Sequence, residues 1–219
     1  MGKIEKIKDI FDKHGYCLDI RTLSHVKEEL DELTSADLNK ISRIIEVNEA
    51  ENPEESFSFS YYTEFKPAER PRSVPVFDKN TKQFKGIRVY DPTTNKESKI
   101  DLRESMIYHV KQNKLMELDD DGRIKLIKGN FSISIKMYKK TPNSFSKAEV
   151  ILAEAGYITP DTKPDTDNIG KNILDAFTRY IYSDDKSNDY LEVEKFYSVL
   201  PRIEITIRYR MKKIKTKKI

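Results

Sequence analysis

The segment KPDTDNIGKNILDAF, from Lys163 to Phe177, sets Asp165 and Asp167 two positions apart, just ahead of a helical pattern, with Lys171 one turn beyond. In an extended segment side chains alternate, so the two carboxylates project to one side while Thr166 points to the other. They repel unless a cation sits between them. Asp167 also stands at the N-cap position of a helix beginning at Asn168, where its oxygen can accept a backbone N–H. Capping accounts for one aspartate and leaves the other unexplained. Lys171, four residues after Asp167, shares its helical face and lies off the Ile169 and Ile173 stripe, which turns it toward the carboxylates. A second acidic pair, Asp184 and Asp185, follows the helix in YSDDKSND, a stretch rich in turn formers.

Converging carboxylates raise one another's pKa, so such a cluster needs neutralising. Magnesium does this: a hard divalent ion takes oxygen ligands, typically one or two carboxylates, with water and a substrate phosphate completing its shell. Phosphodiester hydrolysis needs an activated water and positive charge at phosphorus, which two ions roughly 3.5 to 4 Å apart supply. Lys171 adds a point charge for the phosphate. Other chemistries find less support. His14, His25 and His109 are scattered, with no ligand spacing to another His or to Cys17, the single cysteine, so zinc is disfavoured. No P-loop, Gly-rich dinucleotide turn or Ser-His arrangement occurs. A purely structural calcium site lacks the D-x-D-x-D-G loop it would need.

The elements that must position these residues can be read from periodicity. Ile4, Ile7, Ile10 and Phe11 share a helical face, as do Leu23, Val26, Leu30 and Leu33, and then Leu38, Ile41, Ile44 and Ile45. ENPEES, Glu51 to Ser56, interrupts this pattern and is the candidate linker. FSFSYYTEF then alternates as a strand from Phe57. KPAERPRSVP, with three prolines, reads as an irregular loop, and GIRVYDP as a short extended run ahead of a helical stretch around Lys99 to Lys111. Phe131, Ile133, Ile135 and Met137 alternate with polar residues, the clearest period-two signal in the chain. Ser146 and Glu149 form a capping box for KAEVILAEA, which ends at Ala155 with Gly156 as its cap. The next helix carries Ile169, Ile173, Ala176, Phe177 and Tyr180 on its apolar side. YLEVEKFY and RIEITIRY follow as strands, the second with Ile203, Ile205 and Ile207 inward. The expectation is an α+β fold with a mixed or antiparallel sheet and packed helices. It divides into a helical N-terminal extension (1–55), a catalytic-size domain (56–210) and a basic tail (211–219).

The 219 residues carry a net charge of +3, unevenly spread. Residues 208–219 hold seven Lys or Arg and no acid, whereas the first 56 carry 14 acids against 8 bases. That asymmetry argues for a polyanion met at one face rather than a uniformly DNA-coating protein. The N-terminus lacks the apolar stretch of a signal peptide, and no apolar run approaches the roughly 18 residues of a membrane span. A cytoplasmic protein without a membrane partner is expected.

The ordered string KPDTDNIGKNILDAF, then YSDD, then Lys195, together with KPAERPRSV before YDP and SFSKAEVILAEAG, resembles the RusA-type Holliday junction resolvases, small endonucleases common in phages and prophages. The likeness covers about residues 57–207. It implies that Asp165, Asp167 and Asp185 are metal-binding carboxylates, that Lys171 is the catalytic lysine, and that the cofactor is Mg²⁺, with Mn²⁺ as a substitute. It also implies an α+β homodimer that nicks four-way DNA symmetrically; a twofold assembly presents two equivalent sites to a junction of approximate twofold symmetry. Lys66, Arg70, Arg72, Lys163 and Lys195 are then the candidates for DNA contact. Gly170 departs from the family, where a larger apolar residue is usual, and so does Asn188, where a hydrophobic is expected. Residues 1–55 have no counterpart there and read as either a helical module for an unknown protein partner or an added support for the core. The competing reading is a non-catalytic DNA-binding or recombination accessory protein of the same fold.

Overall fold

The computed structural model describes residues 3–14, 32–63, 72–79, 82–90 and 93–214. The chain divides into two compact units, one of Met1–Glu54 with Lys212–Ile219 and one of Glu55–Met211. In the first unit, α1 (Lys3–Lys13) buries Ile7, and α2 (Ser35–Glu51) opens on a reciprocal box in which Thr34 and Asp37 satisfy each other's backbone N–H. His14 closes α1 against Glu49 of α2 at 2.7 Å. After α2 the Asn52 amide exchanges two bonds with the Lys212 backbone, at 2.7 and 3.0 Å. The expected helix bearing Leu23, Val26 and Leu30 lies outside the described residues.

The second unit is built on a four-stranded sheet of β1 (Glu55–Tyr61), β4 (Phe131–Lys140), β5 (Asn188–Ser198) and β6 (Arg202–Tyr209), in the order β1-β6-β4-β5. A separate two-stranded ribbon pairs β2 (Arg72–Phe77) with β3 (Phe84–Tyr90). In the main sheet β6 runs antiparallel to β1 and β4, and β5 runs parallel to β4, which makes it mixed. Alternation sorts each strand by side. Ile133, Ile135, Met137, Ile203, Ile205, Ile207, Phe57 and Phe59 all point to one buried face. Against that face pack α3 (Thr93–Gln112), through Leu102, Met106 and Val110, and α5 (Thr166–Phe177), through Ile169, Ile173, Ala176 and Phe177. Helix α4 (Lys147–Glu154) carries the expected capping box between Ser146 and Glu149, and Gly156 follows it. No helix among the described residues is long and apolar enough to cross a membrane.

Three expectations about local structure are corrected. The stretch KPAERPRSVP is not irregular to its end, because β2 begins at Arg72 and runs through Pro75. Proline is tolerated there because a two-stranded ribbon leaves each strand an edge without a ladder partner. Helix α5 starts at Thr166 rather than Asn168: the Ile169 N–H bonds to the Asp165 carbonyl at 3.1 Å and closes the first turn two residues earlier. Tyr180 lies beyond that helix and is 41% exposed, so the apolar stripe ends at Phe177.

The two departures from the family pattern have local explanations. At Gly170 an added Cβ would lie 2.9 Å from Leu191 Cδ2 and 3.3 Å from Val193 Cγ2, so a larger residue there has to push aside the outer end of the Leu191 side chain and press on Val193. Asn188 opens β5 and donates from Nδ2 to the Phe131 and Tyr190 carbonyls, at 3.2 and 3.0 Å, doing by hydrogen bonds what an apolar residue would do by packing. Gly170→Val should lower stability by about 1–3 kcal/mol, the usual range for overpacking. Urea unfolding would show it as a reduced midpoint with an unchanged slope.

Candidate active site

Helix α5 can present polar side chains because its other face is used up. Ile169, Ile173 and Phe177 are fully buried against the sheet, which leaves Asp167, Lys171 and Asp175 outside. Asp165 occupies the N-cap position with extended dihedrals (φ −76°, ψ 151°) yet makes no side-chain capping bond. Asp167 stands within the first helical turn and not at the cap. The alternation expected of an extended D-x-D therefore stops at Asp165. Two acids at a helix N-terminus do complement the helix dipole, an effect of about 0.3–1 kcal/mol each at the surface.

The pairing of charges around this helix is selective. Asp175 is bonded to Lys99 of α3 at 2.8 Å, and Asp184 to Lys186 at 2.8 Å. By contrast, among the described residues the carboxylates of Asp165 and Asp167 and the ammonium of Lys171 make no hydrogen bond or ion pair. All three are exposed.

The loop leading to Asp165 is held by two lysines from the sheet. Lys195 of β5 donates to the Thr162 and Pro164 carbonyls, at 3.1 and 3.3 Å, and Lys139 of β4 donates to Thr162 Oγ1 at 2.6 Å and the Lys163 carbonyl at 3.0 Å. Pro164 is buried beneath them, and the Lys163–Pro164 peptide is cis. The backbone entering the acidic pair is thus fixed by four charge-assisted bonds. The Lys195 ammonium, a candidate for DNA contact, is engaged within the chain. Lys163 remains exposed, and Arg72 opens β2. Lys66 and Arg70 lie outside the described residues.

The second acidic pair is fixed from the core side. Tyr182 stacks on Phe131 with ring centroids 4.1 Å apart and donates its hydroxyl to the Leu174 carbonyl of α5 at 2.8 Å. Ser183 binds the Ile127 carbonyl through both its N–H and its hydroxyl. Burial drives the Tyr182 phenol far above its ordinary pKa, and the nearby charges of Asp185 and Asp175 push it further the same way. Within the pair the roles differ. Asp184 accepts from the Lys186 ammonium and the Lys186 N–H, which hold its carboxyl below the usual range. Asp184 shapes the short 3₁₀ turn Asp185–Ser187, and Asp185 is left exposed at its start.

Among the described residues no three Asp, Glu, His or Cys side chains are gathered as ligands of one ion, so Asp185 is not joined to Asp165 and Asp167 in a triad. The donor chemistry nonetheless suits a hard divalent cation. Asp165 and Asp167 offer only oxygen and pair with nothing among the described residues, and magnesium needs no more than one or two carboxylates when water and phosphate complete its shell.

The role of Lys195 and Lys139 was missed from sequence, although a signal existed. Both fall on the inward parity of their strands, in line with Met137 and Val193, where a lysine must find carbonyl partners.

A mixed sheet backed by two helices, with two acids and a lysine at one helix end that pair with nothing among the described residues, defines an α+β domain with an acidic helix terminus. Residues 70–208 match the family described as Endodeoxyribonuclease RusA, and the chain belongs to that family. It is also similar to the Bacillus subtilis (strain 168) protein described as "Uncharacterized protein YqaN". The two are 44% identical over 85 residues, 38% of this chain and 60% of that protein's length.

Lys195→Met should remove two bonds from a charged donor, costing about 1.5–3 kcal/mol for each, less whatever water recovers. Hydrogen exchange would show faster opening of the first turn of α5, where the Ile169 N–H bonds to the Asp165 carbonyl, with β4 and β6 unchanged.

Proposed function

We propose that this chain is a divalent-metal-dependent endodeoxyribonuclease that acts as a homodimer, in the cytoplasm, to nick four-way DNA junctions symmetrically by phosphodiester hydrolysis. Membership of a family of endodeoxyribonucleases supports the reaction class. The observation that carries the reading is the selective pairing on α5, where Asp175 is neutralised by Lys99 while Asp165, Asp167 and Lys171 find no partner among the described residues.

In this reading Asp165 and Asp167 hold magnesium or manganese, with Asp185 drawn in as a further ligand only when the ion binds; the ion when bound supplies an activated water and positive charge at the phosphate. Lys171 contributes a further fixed charge for the phosphate oxygens, one turn along the same helix. Lys139 and Lys195 hold the backbone before Asp165 in place, so that the carboxylates do not have to be reordered when substrate arrives. Lys163 and Arg72, with Lys66 and Arg70, contact backbone phosphates, which fix the position of the DNA without reading its sequence.

A second reading has one observation in its favour. Among the described residues the three aspartates are not gathered as a ligand set, as expected of an accessory protein that binds branched DNA without cutting it. Purified protein incubated with a synthetic four-way junction, with Mg²⁺ or with EDTA, separates the two. Symmetric nicks that require the metal support the enzyme, and binding without nicks in Mg²⁺ or Mn²⁺ supports the accessory role.

Asp165→Asn and Lys171→Met should each lower single-turnover cleavage by about 10²-fold or more, the range seen when one transition-state contact is removed. Junction affinity in EDTA should change little, because the contacts that position DNA lie elsewhere. Cleavage by Asp165→Asn at near wild-type rate would remove that residue from the site.

A further inference from the structure

The β2–β3 ribbon ends in an aromatic pair that the rest of the described chain leaves uncovered. Phe77, the last residue of β2, is the cross-strand partner of Phe84, the first residue of β3. Their rings meet edge to face with centroids 6.0 Å apart, and the residues are 53% and 61% exposed. Single exposed apolar residues are ordinary on a protein surface; a paired set at the tip of a ribbon is less so. Backbone bonds continue past the rings among the described residues. The Asp78 N–H bonds to the Gln83 carbonyl at 2.8 Å and the Lys82 N–H to the Asp78 carbonyl at 3.1 Å. Just behind the rings the ladder slips between Val76 and Phe77, opposite Gly86 at φ +150°, a conformation that side-chain-bearing residues rarely adopt. Such bulges re-aim side chains, and they concentrate near functional sites.

Around the rings the charge is positive. Lys79, Lys82 and Lys85 are exposed, and the one acid described there, Asp78, is paired with Lys85 at 2.7 Å. A second copy of this chain would bring its own lysines against these and be repelled. A polyanion would be attracted. Apolar side chains in a cationic setting suit DNA whose base stack is open, because such side chains enter between base steps only at the cost of unstacking them, which intact duplex resists. At a branch point stacking is already interrupted, so that cost falls.

We infer that the Phe77–Phe84 tip is a wedge that enters the opened base step at the branch point, and so distinguishes branched from linear DNA. The inference rests on branched DNA being the substrate, as proposed above. The lysines hold the flanking phosphates, and the rings stack on the exposed base faces.

The test uses the full chain in EDTA, a four-way junction carrying 2-aminopurine beside the crossover, and a linear duplex of the same sequence. Wild-type protein should raise the 2-aminopurine fluorescence as the base unstacks. F77S/F84S should abolish that rise and reduce the preference for junction over duplex by tenfold or more. The salt dependence of binding should persist in the variant because the lysines remain. An undiminished rise and preference in F77S/F84S would overturn the wedge. So would sedimentation showing a wild-type dimer and a monomeric variant, since the rings would then lie between two copies. F84S alone, at the more exposed ring, is the second variant if the double one does not fold, and the same outcomes apply. Wild-type protein that neither binds the junction in EDTA nor nicks it when Mg²⁺ is added would overturn the junction reading itself, a result distinct from junction binding whose preference is unaltered in the variant.

Discussion

The burial of one stripe of α5 against the sheet is the constraint on which the rest depends. Ile169, Ile173, Ala176 and Phe177 lock the helix in rotation, and the absence of a side chain at Gly170 lets it approach Leu191 and Val193 of β5. Once the rotation is fixed, Asp167 and Lys171 have to face outward, since an α-helix offers one side to the core and the other to water. No separate device is needed to expose them. Core packing is close to that of an organic crystal, so the helix cannot roll without opening voids. The orientation of the candidate site is therefore as rigid as the hydrophobic contact behind it.

A second layer of control is polar. Lysines at inward strand positions are costly unless every donor finds a partner, and Lys139 and Lys195 find theirs in the loop before Asp165. On the other side, Tyr182 and Ser183 fasten the segment leading to Asp185 to α5 and to Ile127. Each acidic element is thus anchored immediately upstream, while its carboxylates are left to the solvent. The arrangement spends no candidate carboxylate on holding the fold, apart from Asp184, which shapes its own turn.

Much of the domain was legible in the amino-acid sequence because its elements obey simple periods. Phe131 to Met137 and Ile203 to Ile207 alternate, and the structure buries those residues. The capping box at Ser146 and Glu149 is formed as read. What was not legible follows from tertiary context. Pro75 argues against a strand locally, yet a ribbon with open edges accepts it. The start of α5 was misplaced because Asp167 fits a cap by type, while the first hydrogen bond is decided by the Asp165 backbone. The spacing of the site residues was visible, whereas the engagement of Lys195 depends on a loop more than thirty positions away in the chain, which periodicity cannot report. The tip formed by Phe77 and Phe84 was invisible for a similar reason: it needs the register of two strands.

The parallel pairing of β4 with β5 has an architectural corollary. Parallel neighbours cannot be joined by a tight turn, so the chain has to leave the sheet and return. That excursion, from Thr141 to Ser187, contains α4, the anchored loop, the acidic helix and the 3₁₀ turn. The candidate carboxylates and Lys171 therefore all lie within one crossover, bounded at both ends by strands that meet each other. Docking of the edge strand β5 on β4 closes the whole insert as one loop, a cost that rises only slowly with the insert's length.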